Sequence, residues 1–276
     1  MPFYMSPEQL MRDKTEYARK GVARSRSSVA LQYAGGILMV TPNVSNVLHK
    51  ISEIYDRIGF AAVGRYNEYE VLRKAGVTYA DVTGYQFDRG DVTARGLANY
   101  YAQALGANAS EPTGKPYEVE IVVAEVGLTP DADQIYRIFW DGIVSDEHGY
   151  VAFGGQSDQV AAALKERFSD GMSIAEALSA ALAALAAPSP GAAANNGNQP
   201  ELTAANLEVA ILDRARAHRT FRRLQGPRLE ELIAEANTAP AGESPAEESP
   251  AEPAEPSSSD EPPTGPAAAG GDGIPK

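Results

Sequence analysis

Residues 48–76 contain, in immediate succession, a strand, a tight turn, a second strand and the start of a helix. The apolar runs Ile51–Tyr55 and Ile58–Val63 are joined by a polar pair, and a glycine ends the second run. Short apolar runs bounded by turn residues are typical of strands, and the second run is apolar enough to be buried. Asn67 and Glu70 then have capping-box spacing, so a helix is predicted to leave directly from the sheet.

The remaining segments alternate in blocks: strands, two helices, strands, two helices, strands. In chain order the predicted segments are strands Val29–Tyr33 and Ile37–Val40, helices Arg65–Val82 and Asp91–Leu105, strands Tyr117–Val126, Gln134–Trp140 and Tyr150–Phe153, helices Ser157–Phe168 and Ser173–Ala186, strands Leu207–Asp213 and Thr220–Leu224, and helix Pro227–Ala236. The first two hairpins are predicted to share one antiparallel sheet. Because each helix pair needs an apolar sheet face beneath it, the order favours an α+β, four-layer αββα sandwich. Periodicity alone leaves a generic α+β fold open.

Composition restricts the class of protein and its partners. The chain has 276 residues, 43% of them hydrophobic, which is enough for one large domain or two small ones. Its net charge of −13 argues against a nucleic-acid partner. The absence of cysteine excludes a disulfide framework and thiol chemistry. No apolar run approaches the roughly 20 residues that span a bilayer, and no leader follows Met1, so no membrane partner and a cytoplasmic location are expected.

A helix is predicted close to the start of the chain. Ser6, Pro7 and Gln9 have the spacing of a helix cap, and Gly21 is predicted to end the helix after about Lys20. Its narrow apolar face comprises Leu10, Met11, Tyr17 and Ala18. Charged residues, including Lys14, are predicted to cover the remainder. So thin a face suits a helix on the domain surface or one that lies between neighbouring subunits.

The last 39 residues, 238–276, differ in kind from the rest of the chain. They hold nine of its 19 prolines, and their eight acidic residues and one Lys give −7 of the net charge of −13. Such a segment buries too little apolar area to offset the entropy of ordering it, so it is predicted to be disordered. It serves either as a solubilising tail or as an acidic brush that modulates the access of partners.

The residues offer little catalytic chemistry. The three histidines are scattered, which predicts no metal site, and no nucleophile elbow, phosphate loop or dinucleotide fingerprint is present, so no cofactor is expected. N-terminal threonine catalysis needs a Thr at the start of the first strand, with its free amine as the base. That start reads Arg26-Ser27-Ser28-Val29 and follows a well-capped helix. No catalytic residue is therefore predicted.

Several separate blocks of the sequence resemble the α-type subunits of the proteasome core particle, particularly the actinobacterial ones. These blocks are SPEQ at Ser6–Gln9, EYA at Glu16–Ala18 and KISEIYDRIGFAAVG at Lys50–Gly64. The resemblance runs from about Tyr4 to Asn237. Where most relatives read Ser-Pro-Asp-Gly-Arg, this chain has Glu8-Gln9 after the proline, which is a departure in the detail of the turn.

The resemblance implies the proteasome fold of the N-terminal-nucleophile hydrolases, over residues 6–237, and a role in protein degradation. Identical α subunits would form a heptameric outer ring, which caps a chamber of β subunits and controls the admission of unfolded protein substrates. The threonine endopeptidase sites of the complex would lie in the β subunits. Pro42 stands roughly where catalytic subunits carry an acidic residue. Two alternatives remain open at this point: an active threonine hydrolase of the same fold, and an unrelated ring-forming adaptor.

The resemblance also implies roles for particular residues. Lys50 matches the lysine of an inter-subunit pocket that receives the C-termini of a hexameric proteasomal ATPase activator; otherwise it is a solvated lysine at a strand edge. The apolar face of the first helix is expected to contribute to ring assembly. Residues 1–5 precede the helix cap and are almost wholly apolar. Pro2, Phe3, Tyr4 and Met5 are predicted to converge on the ring axis as a gate, or else to fold back onto their own domain.

Overall fold

Two five-stranded antiparallel sheets lie face to face in the computed structural model, which describes residues 6–187 and 202–238. In chain order the strands are β1 (Ser28–Tyr33), β2 (Gly36–Pro42), β3 (Ile51–Tyr55), β4 (Ile58–Gly64), β5 (Val119–Glu125), β6 (Gln134–Ile138), β7 (Val144–Glu147), β8 (Tyr150–Phe153), β9 (Leu207–Asp213) and β10 (Phe221–Leu224). The first sheet has the order β10-β9-β2-β1-β8 and the second the order β3-β4-β5-β6-β7. All neighbouring strands are antiparallel.

Helices cover the outer face of each sheet. These helices are α2 (Tyr66–Gln86), α3 (Ala94–Ser110), α4 (Ser157–Lys165), α5 (Ile174–Leu185) and α6 (Pro227–Thr238), whereas α1 (Pro7–Ala23) lies across one end of the sandwich. The alternation of side chains along each strand explains this layering. Phe60 and Ile121 point towards α2 and α3, whereas Ala61 and Val122 fill the space between the sheets. The first sheet packs in the same way against α4, α5 and α6. The predicted α+β, four-layer αββα sandwich is confirmed.

Helix α1 lies across the end of the sandwich at which β1 begins and β4 ends. Ser6 Oγ accepts a hydrogen bond from the Gln9 backbone amide at 3.2 Å, as the cap spacing predicts. The predicted stop at Gly21 is wrong, because the helix continues to Ala23. A β-carbon at Gly21 would lie 2.3 Å from Glu118 Oε2, so this glycine instead allows α1 to approach the start of β5.

Lys14 was expected on the polar face of α1, and that expectation is also wrong. Its side chain is buried, and Nζ donates to the carbonyl oxygens of Ala109, at 3.2 Å, and of Glu111. Both carbonyls belong to the C-terminal end of α3, where unpaired helix carbonyls favour a cation. Lys14 therefore anchors α1 to the body of the domain.

The strands differ from the prediction in two respects. The first two hairpins do not share a sheet, since β1 and β2 belong to the first sheet and β3 and β4 to the second. The chain crosses between the sheets in the loop from Asn43 to Lys50. The edge strand β7 was not predicted, because its sequence VSDE is mostly polar and carries no apolar alternation.

Helix starts divide into those that the cap spacing places correctly and those that it does not. Ser173 and Glu176 form the predicted reciprocal capping box of α5. Glu70 instead binds Arg73, and α2 begins at Tyr66 without a side-chain cap, so the box predicted from Asn67 is wrong. The other differences are at element ends: α3 begins at Ala94 after its cap Thr93, α2 runs on to Gln86, and α4 ends at Lys165.

Three predicted features lie outside the described residues. They are the apolar arm of residues 1–5, the loop from Pro188 to Gln199, and the acidic tail after Thr238, the last residue of α6. None of the helices that the structure describes is long and apolar enough to cross a membrane.

Candidate functional site

Lys50 is the last residue of the loop between β2 and β3, at the end of the sandwich that α1 covers. Its side chain is half-buried, and Nζ donates a hydrogen bond to the carbonyl oxygen of Pro42 at 3.1 Å. Burial lowers the pKa of Lys50 from its ordinary 10.5; the Glu208 carboxylate opposes this effect and the nearby charge of Arg26 adds to it. The ammonium group is therefore held by a carbonyl in a position where water solvates it poorly.

Glu208, a buried carboxylate near the start of β9, fixes the backbone on both sides of the Lys50 Cα. It accepts hydrogen bonds from the backbone amides of Lys50 at 2.9 Å and Ile51 at 3.1 Å. The side chains of Asn43, at 2.8 Å, and Arg223 also donate to it. Four donors thus share this carboxylate, which joins the loop to the first sheet. Sequence reasoning missed Glu208, although one acid within the apolar run LEVAIL was a signal, because a buried charge needs partners.

The loop before Lys50 has a fixed conformation and carries apolar side chains outwards. Asn43 Nδ2 donates to the Leu48 carbonyl at 2.8 Å, and the Ser45 amide donates to Asn43 Oδ1 at 3.0 Å. Val44 and Val47 are nevertheless 73% and 78% exposed. Exposed apolar side chains grouped in one loop are typical of surfaces that contact another protein.

A cavity of about 320 Å³ lies beside this loop. One wall is the segment between α1 and β1, which includes Arg24 and Arg26, and Pro42 belongs to another wall. The side chains of Val160 and Leu185 supply an apolar portion. The same Pro42 therefore lies in the wall of the cavity and in contact with the Lys50 ammonium.

The start of β1 has no arrangement that could serve as an N-terminal nucleophile. Ser28 Oγ and Thr41 Oγ1 share a hydrogen bond of 2.6 Å, and Ser27 Oγ accepts from the Gln156 amide at 2.9 Å. Both serines are buried, and α1 precedes them in the same chain, so neither has a free amine to act as a base. Within residues 6–187 and 202–238, no group of three His, Asp or Glu side chains could hold a metal ion.

The four residues of the predicted apolar face of α1 have different environments. Ala18 is fully buried against Ala109 and Trp140 of the same chain, so it cannot contact a neighbouring subunit as expected. Met11 and Tyr17 are 46% and 45% exposed, and Leu10 is half-buried. The face that remains available is therefore narrower than the sequence predicts.

The two facing sheets, their outer helices and the helix across one end define this chain as an αββα sandwich of the N-terminal-nucleophile type. A family model described as "Proteasome subunit" matches residues 22–200. The chain belongs to the proteasome subunit family.

Individual relatives agree with the family match over most of their length. A protein named "Proteasome subunit alpha" from Thermomonospora curvata is 63% identical over 235 residues, which cover 85% of this chain and 98% of the relative. A protein of the same name from Kineococcus radiotolerans is 60% identical over 84% of this chain and 98% of the relative. Another, from Streptosporangium roseum, is 62% identical over 86% of this chain and 88% of the relative.

Proposed function

We propose that this chain is a non-catalytic α-type subunit of a proteasome core particle. One observation carries the proposal: where a catalytic subunit would have a chain-terminal Thr, this chain has buried Ser27 and Ser28, and α1 precedes them in the same chain. An active threonine hydrolase of the same fold is disfavoured by the same observation. The names of the relatives support the α type.

In this proposal identical subunits form the heptameric outer rings, and separate β subunits supply the threonine endopeptidase sites. Unfolded protein substrates pass through the ring to the proteolytic chamber, and the complex works in the cytoplasm. Leu10, Met11 and Tyr17 contact neighbouring subunits, because apolar side chains that their own domain leaves partly exposed gain most from being covered. Pro2, Phe3, Tyr4 and Met5, which lie outside the described residues, form the gate at the ring axis.

Lys50 is the docking residue for a hexameric ATPase activator. Its ammonium has a carbonyl partner and is affected by a neighbouring positive charge, so an incoming carboxylate would gain a charge-assisted bond. The exposed apolar side chains of Val44 and Val47 lie in the same loop, which fits a site bordered by a neighbouring subunit.

Native gels and stimulated peptide hydrolysis test the docking role and the ring contact together. Lys50→Ala should leave assembly intact and abolish stimulation by the activator, because only the carboxylate partner is lost. The double variant Leu10→Ser, Tyr17→Ser should instead give folded monomers or half-built particles. Undiminished stimulation of Lys50→Ala complexes would contradict docking at Lys50, and full-sized cylinders from the double variant would contradict the ring contact.

A further inference from the structure

Two exposed apolar patches lie at the same end of the domain, at opposite edges of the second sheet. The first is the loop before β3, where Val44 and Val47 are 73% and 78% exposed, and the second is the turn between β6 and β7, where Ile143 is 61% exposed. The strand order puts β3 at one edge of this sheet and β7 at the other. The registers of the neighbouring strands place the starts of β3 and β7 at the end that α1 covers.

The patch at the β7 edge borders a cavity, whereas the patch at the β3 edge protrudes. The cavity has a volume of about 540 Å³ and lies between α1 and the turn that carries Ile143. Val22 of α1 and the aromatic rings of Phe139 and Trp140 give it an apolar wall. A volume in this range accommodates several apolar side chains. The two patches are therefore complementary in shape as well as in polarity.

The charges of the two patches are also complementary. Glu120 at the base of the cavity is neutralised by Arg137, with which it forms an ion pair. Within the part of the chain that the structure describes, no ion pair reaches Asp141 or Asp158, and these two carboxylates face Arg19 alone as a further cation of the lining. The loop 43–50 reads NVSNVLHK, so it carries a lysine and no acid. An acidic cavity favours such a loop over an acidic one.

The positions of the patches decide what can occupy the cavity. Four strand spacings separate β3 from β7, which is about 19 Å, so the loop cannot reach the cavity of its own chain. A ring of identical subunits needs a heterologous interface, in which two different patches on opposite sides of each subunit meet. Patches at opposite edges of one sheet and at the same end of the domain satisfy this requirement.

We propose that the loop before β3 of one subunit inserts Val44 and Val47 into the cavity beside Ile143 of the next subunit in the ring. The inference rests on the proposed assembly of this chain into rings, and it names the two surfaces that meet there. Each subunit contributes its loop to one neighbour and its cavity to the other, so the same contact repeats until the ring closes.

Disulfide linkage tests this contact without background, because the chain has no cysteine. The double variant Val47→Cys, Ile143→Cys, assembled with β subunits and then oxidised, should give a ladder of linked chains on a denaturing gel. Either single variant can link two chains at most. The matched control is Val47→Cys, His148→Cys: His148 is exposed just beyond the other end of β7, about 14 Å from the start of that strand, and should give no ladder because a disulfide needs Cα atoms within about 7 Å.

A second variant decides the matter if the cysteine pair impairs assembly. Ile143→Asp should give folded chains that form no full-sized cylinders on native gels, because a further carboxylate would enter the apolar wall. Leu128→Asp alters a side chain that is 82% exposed near the opposite end of the domain, after β5, and should leave assembly intact.

The outcomes separate this contact from the ring itself. Full-sized cylinders of the first cysteine pair that give no ladder, a ladder from the control pair, or full-sized cylinders of Ile143→Asp would each overturn the contact and leave the ring proposal standing. A wild-type chain that never forms a ring with β subunits present would overturn the ring proposal and this inference with it.

Discussion

The lysine of the proposed docking site depends on a carboxylate that it does not bind through its own side chain. Glu208 bonds the backbone amide of Lys50, and Arg223 bonds both Glu208 and the Ile51 carbonyl, the latter at 2.6 Å. These contacts fix where the Lys50 side chain leaves the backbone. The ammonium bonds the Pro42 carbonyl and still has donors for a ligand, which is the arrangement expected of a preorganised binding site.

The lowered pKa of Lys50 makes docking sensitive to alkaline pH. A bound carboxylate favours the charged lysine and raises its pKa, so affinity falls as the pH rises through the unliganded pKa, which lies below the ordinary 10.5. The binding of a peptide copied from the C-terminus of the ATPase activator to the assembled complex, measured from neutral pH upwards, should therefore begin to weaken before a solvated lysine would lose its proton. Lys50→Arg stays charged throughout and should remove this decline. A wild-type profile that matches the Lys50→Arg profile would contradict a titrating Lys50.

At the scale of elements, α2 and α3 pack closely because one residue of α2 has no side chain. A β-carbon at Gly76 would lie 1.8 Å from Tyr101 Oη, and Tyr101 is fully buried beneath the helix pair. Leu72, Gly76 and Ala80 are buried at helical spacing on this face of α2, whereas Ala75 is half-buried.

Gly76→Ala should destabilise the protein by about 1–3 kcal/mol, because the buried ring of Tyr101 must move to admit the methyl group. Gly106→Ala is the matched control: it is also a helix-interior glycine, and its β-carbon would meet nothing closer than 3.5 Å. That variant should be about 0.5–1 kcal/mol more stable through helix propensity. Denaturant unfolding of both variants measures the two shifts, and equal shifts would contradict the close packing at Gly76.

The sequence predicted most elements, because local patterns determine them: apolar runs and glycine turns for the hairpins, and cap spacing for α1 and α5. Which sheet each hairpin joins was not predictable in the same way, since the pairing of β2 with β9 brings together residues far apart in the chain. The residues of the candidate site also differ in whether a local pattern reveals them. Lys50 could be named from its local motif, whereas Glu208 lies 158 residues further on and meets it only in the folded protein.

At the scale of the whole molecule, helix α1 connects the proposed site to the proposed gate. Lys14 and Gly21 hold the helix against α3 and the start of β5, and the segment that follows it carries Arg26. The arm of residues 1–5 precedes the same helix in sequence. In the proposed docking role, a chain end at Lys50 would act through Pro42 on the wall of the cavity that leads directly to α1, which is the route we propose from docking to opening.

The central claim is that this chain admits substrate but does not cleave it. Peptide hydrolysis, measured on three preparations, tests this claim most directly: the purified chain alone, the chain assembled with β subunits, and the same assembly lacking residues 2–5. The account predicts no hydrolysis by the chain alone, measurable hydrolysis by the assembly, and a severalfold higher rate after the deletion. Hydrolysis by the chain alone would contradict the non-catalytic assignment, and equal rates for the two assemblies would contradict the gate.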